Sequence, residues 1–318
     1  MNHMELTGLR MTRDSLSYSD AMHAVVTHRG WFRDTKAMLA GMTVNGFRFS
    51  AARSLSADSW HAYNWVAEHF LAADFIGIAA SSNAGFRFAP TFPLYREHAV
   101  AMIKRSLLRG TGAVFWKDDF VVAAGYDDRD GTLLYDDGSV AGGELKRLPY
   151  AEFGSNATPY WYCQILEARL EADELSIYKE SFMQAIYKWE THDPLLPEDG
   201  YACGKRLYEV IVRRLEDGPY DADGLASLLR RYAAAKRDLD AYAARLALVW
   251  PECEPIAACY AVVAAAFVRL AAGIRPGGEP DAIVLLREAA EAEEEAVTRM
   301  KAHMSERLRN RFNDIALR

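Results

Sequence analysis

The sequence predicts an α+β chain in two parts: helices followed by a run of strands as far as residue 172, then helices alone over 173–318. Three observations carry this. The first half mixes helical periodicity with short apolar runs bounded by turn residues, the pattern of helices packed on an antiparallel sheet. From about residue 173 apolar residues recur only at helical spacing, in segments cut by Gly and Pro, as in an antiparallel bundle. A length of 318 residues exceeds the usual span of one domain. The domains are therefore set at 1–172 and 173–318.

Taken in order, Ser19 or Asp20 caps a helix running to His28, which Gly30 stops. A short helix covers Asp34–Leu39 and ends at Gly41, and Gly46–Phe49 is extended. Ser56 opens a helix whose face carries Trp60, Tyr63, Val66 and Phe70, and Asp74–Ala79 has strand character. The stretch 81–93 is a loop rich in aromatics (Phe86, Phe88, Phe92), suited to packing across the sheet or to lining a cleft for an apolar ligand. Tyr95–Leu108 is amphipathic through Val100, Ile103 and Leu107, with Gly110 as its stop. Strands follow at Ala113–Trp116, Phe120–Ala124, Thr132–Tyr135 and Tyr160–Ile165. In the second half one helix carries Leu175, Tyr178, Phe182, Ala185 and Trp189. A second carries Leu207, Tyr208, Ile211 and Leu215, and a third runs from Leu225 to Leu246. A fourth spans Ile256–Ala272, and a fifth starts near Pro280.

Charge excludes one class of partner. Thirty-seven Lys and Arg against 44 Asp and Glu give a net charge of −7, so no basic face for nucleic acid is expected. The Arg307–Arg311 cluster is assigned to complementing a helix C-terminus. The four cysteines, Cys163, Cys203, Cys253 and Cys259, form no CxxC and no zinc spacing, which fits reduced, buried thiols. Ile256–Ala272 is short for a membrane span and contains Arg269, so it is taken as a bundle helix. With no apolar leader at the N-terminus, a cytoplasmic protein is expected.

Residues 103–114, Ile-Lys-Arg-Ser-Leu-Leu-Arg-Gly-Thr-Gly-Ala-Val, and 120–128, Phe-Val-Val-Ala-Ala-Gly-Tyr-Asp-Asp, followed by Leu133-Leu134-Tyr135-Asp136-Asp137-Gly138, form a helix–strand–strand sentence. Gly41–Phe49 and, in the second half, Leu286–Glu293 add to it. The first half resembles the C39-like branch of the papain-like cysteine peptidase fold. The two-part layout resembles the butirosin-biosynthesis acyltransferase family and its uncharacterised bacterial relatives. The resemblance implies a Cys–His–Asp site: a thiolate at the head of the first helix, a histidine on the strand before Gly-Tyr-Asp, and a carboxylate on the next strand. This chain departs from that pattern twice. The nucleophile positions hold Ser17, Tyr18 and Ser19, because no cysteine precedes Cys163. The histidine position holds Asp119 or Phe120. The third member is matched by Asp136 or Asp137.

A serine hydroxyl needs an adjacent base, and an aspartate with an ordinary pKa near ~3.9 is a poor one. Ser19 has the simpler role of a helix cap. His23 or His28 would be a relocated base, without a spacing argument. His61 and His69, eight residues apart, lie on one predicted helix. No His/Cys/Asp/Glu spacing marks a metal site, and no cofactor is expected. Glu293 falls on an apolar helix stripe and needs a buried cation, Lys236 or Arg269.

The favoured reading is a degenerate, non-catalytic relative of cysteine peptidases and acyltransferases that keeps a cleft for an acyl, peptide or amine ligand. The alternatives are an active acyltransferase or amide hydrolase using Ser17 or Ser19, and a structural or regulatory module acting through the helical half.

Overall fold

The computed structural model describes residues 2–57, 59–140, 142–218, 220–274 and 277–316, with side chains as far as residue 305. The Arg307–Arg311 cluster thus lies outside the residues whose side chains are described. In chain order the strands are β1 (His3–Glu5), β2 (Ser50–Ala52), β3 (Ile78–Phe86), β4 (Ala113–Trp116), β5 (Phe120–Asp127), β6 (Thr132–Asp136), β7 (Lys146–Pro149), β8 (Tyr160–Arg169) and β9 (Tyr201–Cys203). The α-helices are α1 (Ser17–His28), α2 (Lys36–Met42), α3 (Trp65–Phe75), α4 (Phe92–Leu108), α5 (Glu174–Glu190), α6 (Lys205–Asp217), α7 (Ala222–Val249), α8 (Glu254–Ala271) and α9 (Glu279–Ala316). The chain divides into two compact units, Met1–Leu39 with Trp65–Ala172, and Ala40–Asn64 with Asp173–Arg318.

The first unit is α+β. Its sheet runs β3-β8-β4-β5-β6-β7, with β1 also paired to β5, and its pairs are antiparallel. Period-two alternation sorts the aromatic side chains onto its faces. Phe115 and Trp161 pack toward Phe153, Phe92 and Tyr95, on the α4 side. Their neighbours Trp116 and Tyr162, with Phe120, pack toward Trp65 of α3, and Phe120 also meets Tyr18 of α1. β4 pairs with residues 120–123 of β5 and β1 with residues 125–127, so two short strands share one long edge. Gly125 makes the second pairing possible, since a Cβ there would lie 2.5 Å from the Met4 carbonyl oxygen.

The second unit is helical apart from the β2–β9 pair. The segment 40–64, placed by the sequence reading in the first domain, belongs here. Its aromatic residues decide this: Phe49 lies against Tyr208, Tyr232 and Phe267, and Phe47 against Tyr242 and Tyr260. Tyr232 takes up both backbone groups of Ser50 through its hydroxyl. α8 with its leading turn, Pro251–Ala271, is long and apolar enough to cross a membrane by length and composition. Its stripe Ile256, Tyr260, Val263, Phe267 and Leu270 is buried. Lys236 is fully buried and donates to Glu293 (2.8 Å to Oε2), which also accepts the Tyr208 hydroxyl at 2.7 Å. Burial pushes the Lys236 ammonium down and the Tyr208 phenol up. Of the two cations the sequence offered, Arg269 is exposed and Lys236 holds the carboxylate.

Other local expectations shift. Gly46–Phe49 is not extended throughout: a 3-10 turn, Asn45–Phe47, precedes β2. The helix expected from Ser56 is a 3-10 turn at Ser59–His61 followed by α3. The strand placed at Asp74–Ala79 starts at Ile78, because α3 continues to Phe75 and Gly77 turns the chain at φ +73. The aromatic loop at 81–93 is strand as far as Phe86, where β3 stops pairing with β8, and a turn from there to α4. α4 begins early, at Phe92, with proline in its first turn.

Two stability measurements test this account. Lys236→Met should cost about 3–5 kcal/mol by leaving Glu293 buried and unpaired, and adding Glu293→Leu should recover most of it. Urea unfolding followed by tryptophan fluorescence reads both. Gly41→Ala would place a Cβ 2.2 Å from the Tyr242 ring, and the same assay should show a loss of roughly 1–3 kcal/mol from overpacking.

Candidate functional site

α1 begins at Ser17, with Leu16 as its cap residue and no side-chain cap. Ser19 and Asp20 therefore sit inside the first turn rather than capping it. The start of β5 lies beside this turn: the Phe120 N–H points to Ser17 Oγ at 3.4 Å. Ser17 and Ser19 are both buried. Ser19 Oγ has no hydrogen-bond partner among the described residues. No histidine nitrogen or carboxylate oxygen lies within hydrogen-bond distance of either hydroxyl among the described residues, so neither serine has the adjacent base its chemistry requires.

Tyr18 fills the space between these elements. Its ring stacks on His69 of α3, with centroids 3.4 Å apart and planes 2° from parallel, and meets Phe120 edge-on at 5.6 Å. Its hydroxyl donates to Gln164 Oε1 at 2.8 Å, and Gln164 donates in turn to the His69 carbonyl oxygen at 2.9 Å. His69 itself is fully buried and contacts Phe120 and Tyr162 edge-on. The sequence reading placed His69 on a helix with His61 but did not bring it to α1. A histidine inside the apolar run Trp65–Ala73 was the available signal.

The acidic residues take other roles. Asp136 accepts the Met11 N–H at 2.7 Å and the Gly138 N–H at 3.2 Å. It thus fixes the segment that leads into α1. Asp119 follows Asp118, whose φ of 61 turns the β4–β5 hairpin, and lies 4.0 Å from Arg13 Nη2. Arg13 also reaches Asp137 at 3.7 Å, while Lys146 bonds that carboxylate at 2.6 Å. The hydrogen bonds from Lys146 and Ser139 hold the Asp137 carboxyl down to about 2 against the upward push of burial. In the Gly-Tyr-Asp-Asp turn, Asp127 accepts the Arg129 backbone N–H at 3.0 Å and its guanidinium at 2.7 Å. Asp128 accepts the Tyr150 hydroxyl at 2.8 Å. His23 and His28 each place Nε2 3.1 Å from a backbone carbonyl oxygen, of Asp34 and Thr7. No group of three metal-ligating side chains converges among the described residues.

One carboxyl beside the site has an unusual environment. Asp20 Oδ1 accepts the Ser15 N–H at 3.1 Å and the Lys36 ammonium at 2.6 Å, and Lys36 also bonds Thr12 and Asp14. This carboxyl ties the turn before α1 to the start of α2. Burial outweighs the lysine and raises its pKa to about 7. Compared with known proteins, the chain matches no family model, and no curated protein matches it.

The Asp20 environment fixes a pH dependence. The folded carboxyl keeps its proton up to about 7, whereas an unfolded aspartate releases it near 3.8. Between those values the folded state binds more protons. The stability from this group is therefore fully present below the lower value and is lost as pH rises through the upper one. Carboxyl-carbon NMR should show Asp20 titrating near neutrality. Asp20→Asn should flatten that part of the profile of urea midpoint against pH.

Proposed function

We propose that the protein is a non-catalytic relative of papain-like, C39-like peptidases and of the butirosin-biosynthesis acyltransferases. In this reading it works in the cytoplasm by binding an acyl, peptide or amine ligand. The observation that carries this is the Tyr18–His69 stack, which occupies the head of α1, where such an enzyme holds its thiolate against a histidine. The Tyr18 phenol is hydrogen-bonded to the Gln164 carboxamide inside an aromatic cluster. The flanking serine hydroxyls are buried, and Asp136 is spent on backbone N–H groups. Four cysteines without a disulfide among them suit a reducing compartment.

A ligand surface is supported within the first unit by exposed aromatic residues at the end of β3. Phe86 stacks on Phe88 at 5.1 Å and meets Tyr160 at 5.4 Å, and Tyr160 contacts Trp65. Phe88 is 74% exposed. Large exposed rings that touch one another form the kind of apolar surface that marks recognition rather than core. The rings continue inward through Trp65 to Phe120, beside Tyr18.

The test is covalent labelling of the whole protein. A fluorophosphonate should leave Ser17 and Ser19 unmodified by mass spectrometry. Iodoacetamide should leave Cys163 unmodified while the fold is intact, because burial pushes that thiol up to about 12. Stoichiometric modification of either serine would replace this reading with the serine-hydrolase alternative.

A further inference from the structure

A second concave site lies on α4, the helix over the sheet face opposite Tyr18. Arg96, Val100, Lys104 and Leu108 recur every four residues and so line one face of the helix. Tyr150 and Ala151 form the facing wall, and the space between has a volume of about 530 Å³, within the range of small-molecule sites.

The charges lining this groove do not cancel. Lys104 is paired with Asp128, which also holds the Tyr150 hydroxyl. Arg96 donates one Nη1 hydrogen to the Ala151 carbonyl oxygen at 2.9 Å, which does not neutralise it. The side chain of Arg105, in the adjoining row, makes no hydrogen bond or ion pair among the described residues. Against these cations the lining offers one further carboxylate, Glu97. With Lys104 set against Asp128, Arg96 and Arg105 against Glu97 leave one positive charge. This stands out in a chain whose net charge is −7. Between Arg96 and Arg105 the floor offers Val100 and Ala101, and Leu108 extends it beyond Arg105. Arg96 and Arg105 are about 13 Å apart along the helix axis at 1.5 Å per residue.

One excess positive charge at the end of an aliphatic trough calls for one negative charge on an aliphatic body. We propose that this groove binds a medium-chain carboxylate. Its head group pairs with the Arg105 guanidinium, and its chain runs over Val100 and Ala101 toward the methylene stem of Arg96. The site is separate from the one at α1 and does not depend on how that site is read.

Isothermal titration calorimetry of the full chain with sodium decanoate at low salt tests this, with decanol and acetate as comparison ligands. Saturable binding of one decanoate is expected, with acetate giving none and decanol binding more weakly. Arg105→Gln, at an exposed position, should weaken decanoate about fivefold, the scale of an exposed charge contact. Ala101→Trp, also at an exposed position, should fill the trough and abolish binding, with far-UV circular dichroism checking its fold. No saturable decanoate binding would overturn the proposal. So would acetate binding as tightly, which would mean a simple anion site, or decanol binding as tightly, which would remove the role of charge. Unchanged affinity in a folded Ala101→Trp would place the ligand elsewhere. Should that variant fail to fold, unchanged affinity in Arg105→Gln overturns the proposal by itself.

Discussion

The first unit depends on a strand with water on neither face. All eight residues of Phe120–Asp127 are buried. A strand in that position must be covered on both sides and paired along both edges, because an unpaired buried backbone group costs as much as a lost hydrogen bond. The covering helices are α1 and α4, both packed against it. The edges are shared among β4, β1 and β6. The placement of Ser17 beside Phe120 follows from this arrangement: the head of α1 meets the head of the strand it covers.

That juxtaposition, where the proposed relationship would set a nucleophile and its base, is filled by packed rings. A reactive site keeps a hydroxyl or thiol open to substrate and a base within reach of it. At α1 the stacked rings of Tyr18 and His69, with Phe120 edge-on, exclude water, and the polar atoms of Tyr18 and Gln164 satisfy one another. Burial on this scale favours the folded state, and in the proposed reading it also leaves no room for acyl transfer, whose charged intermediates need solvent or oriented donors. The titratable group of note beside it is Asp20, which is 1% exposed. It holds the turn before α1 to the start of α2 through Lys36.

The second unit answers a similar problem with an ion pair. Glu293 on α9 and Lys236 on α7 are both removed from water, and the Tyr208 hydroxyl supplies a further hydrogen bond to the carboxylate. Lys236 also lies 4.8 Å from the centre of the Phe49 ring, so a residue of the early segment 40–64 helps enclose a charge set by the late helices. A buried charge pair adds little net stability but penalises any arrangement that separates the partners.

The sequence by itself determined the α+β character of the first unit, most of its strands, the helical second half and the need of Glu293 for a buried cation. Each of these follows from local periodicity or from the cost of an unpaired charge. It also brought Ser17–Ser19, Asp119 or Phe120, and Asp136 under suspicion as one site, and the structure does set Ser17 beside Phe120. Only the tertiary structure decided that Tyr18 is the residue filling that place, that His69 is its stacking partner, and that Asp136 serves the Met11 backbone. Those facts rest on contacts between residues 51 to 146 positions apart, which no local pattern encodes. It also decided that 40–64 belongs with the helices. The aromatic residues of that segment would suit any core, and which core buries them is settled by the rings already waiting there.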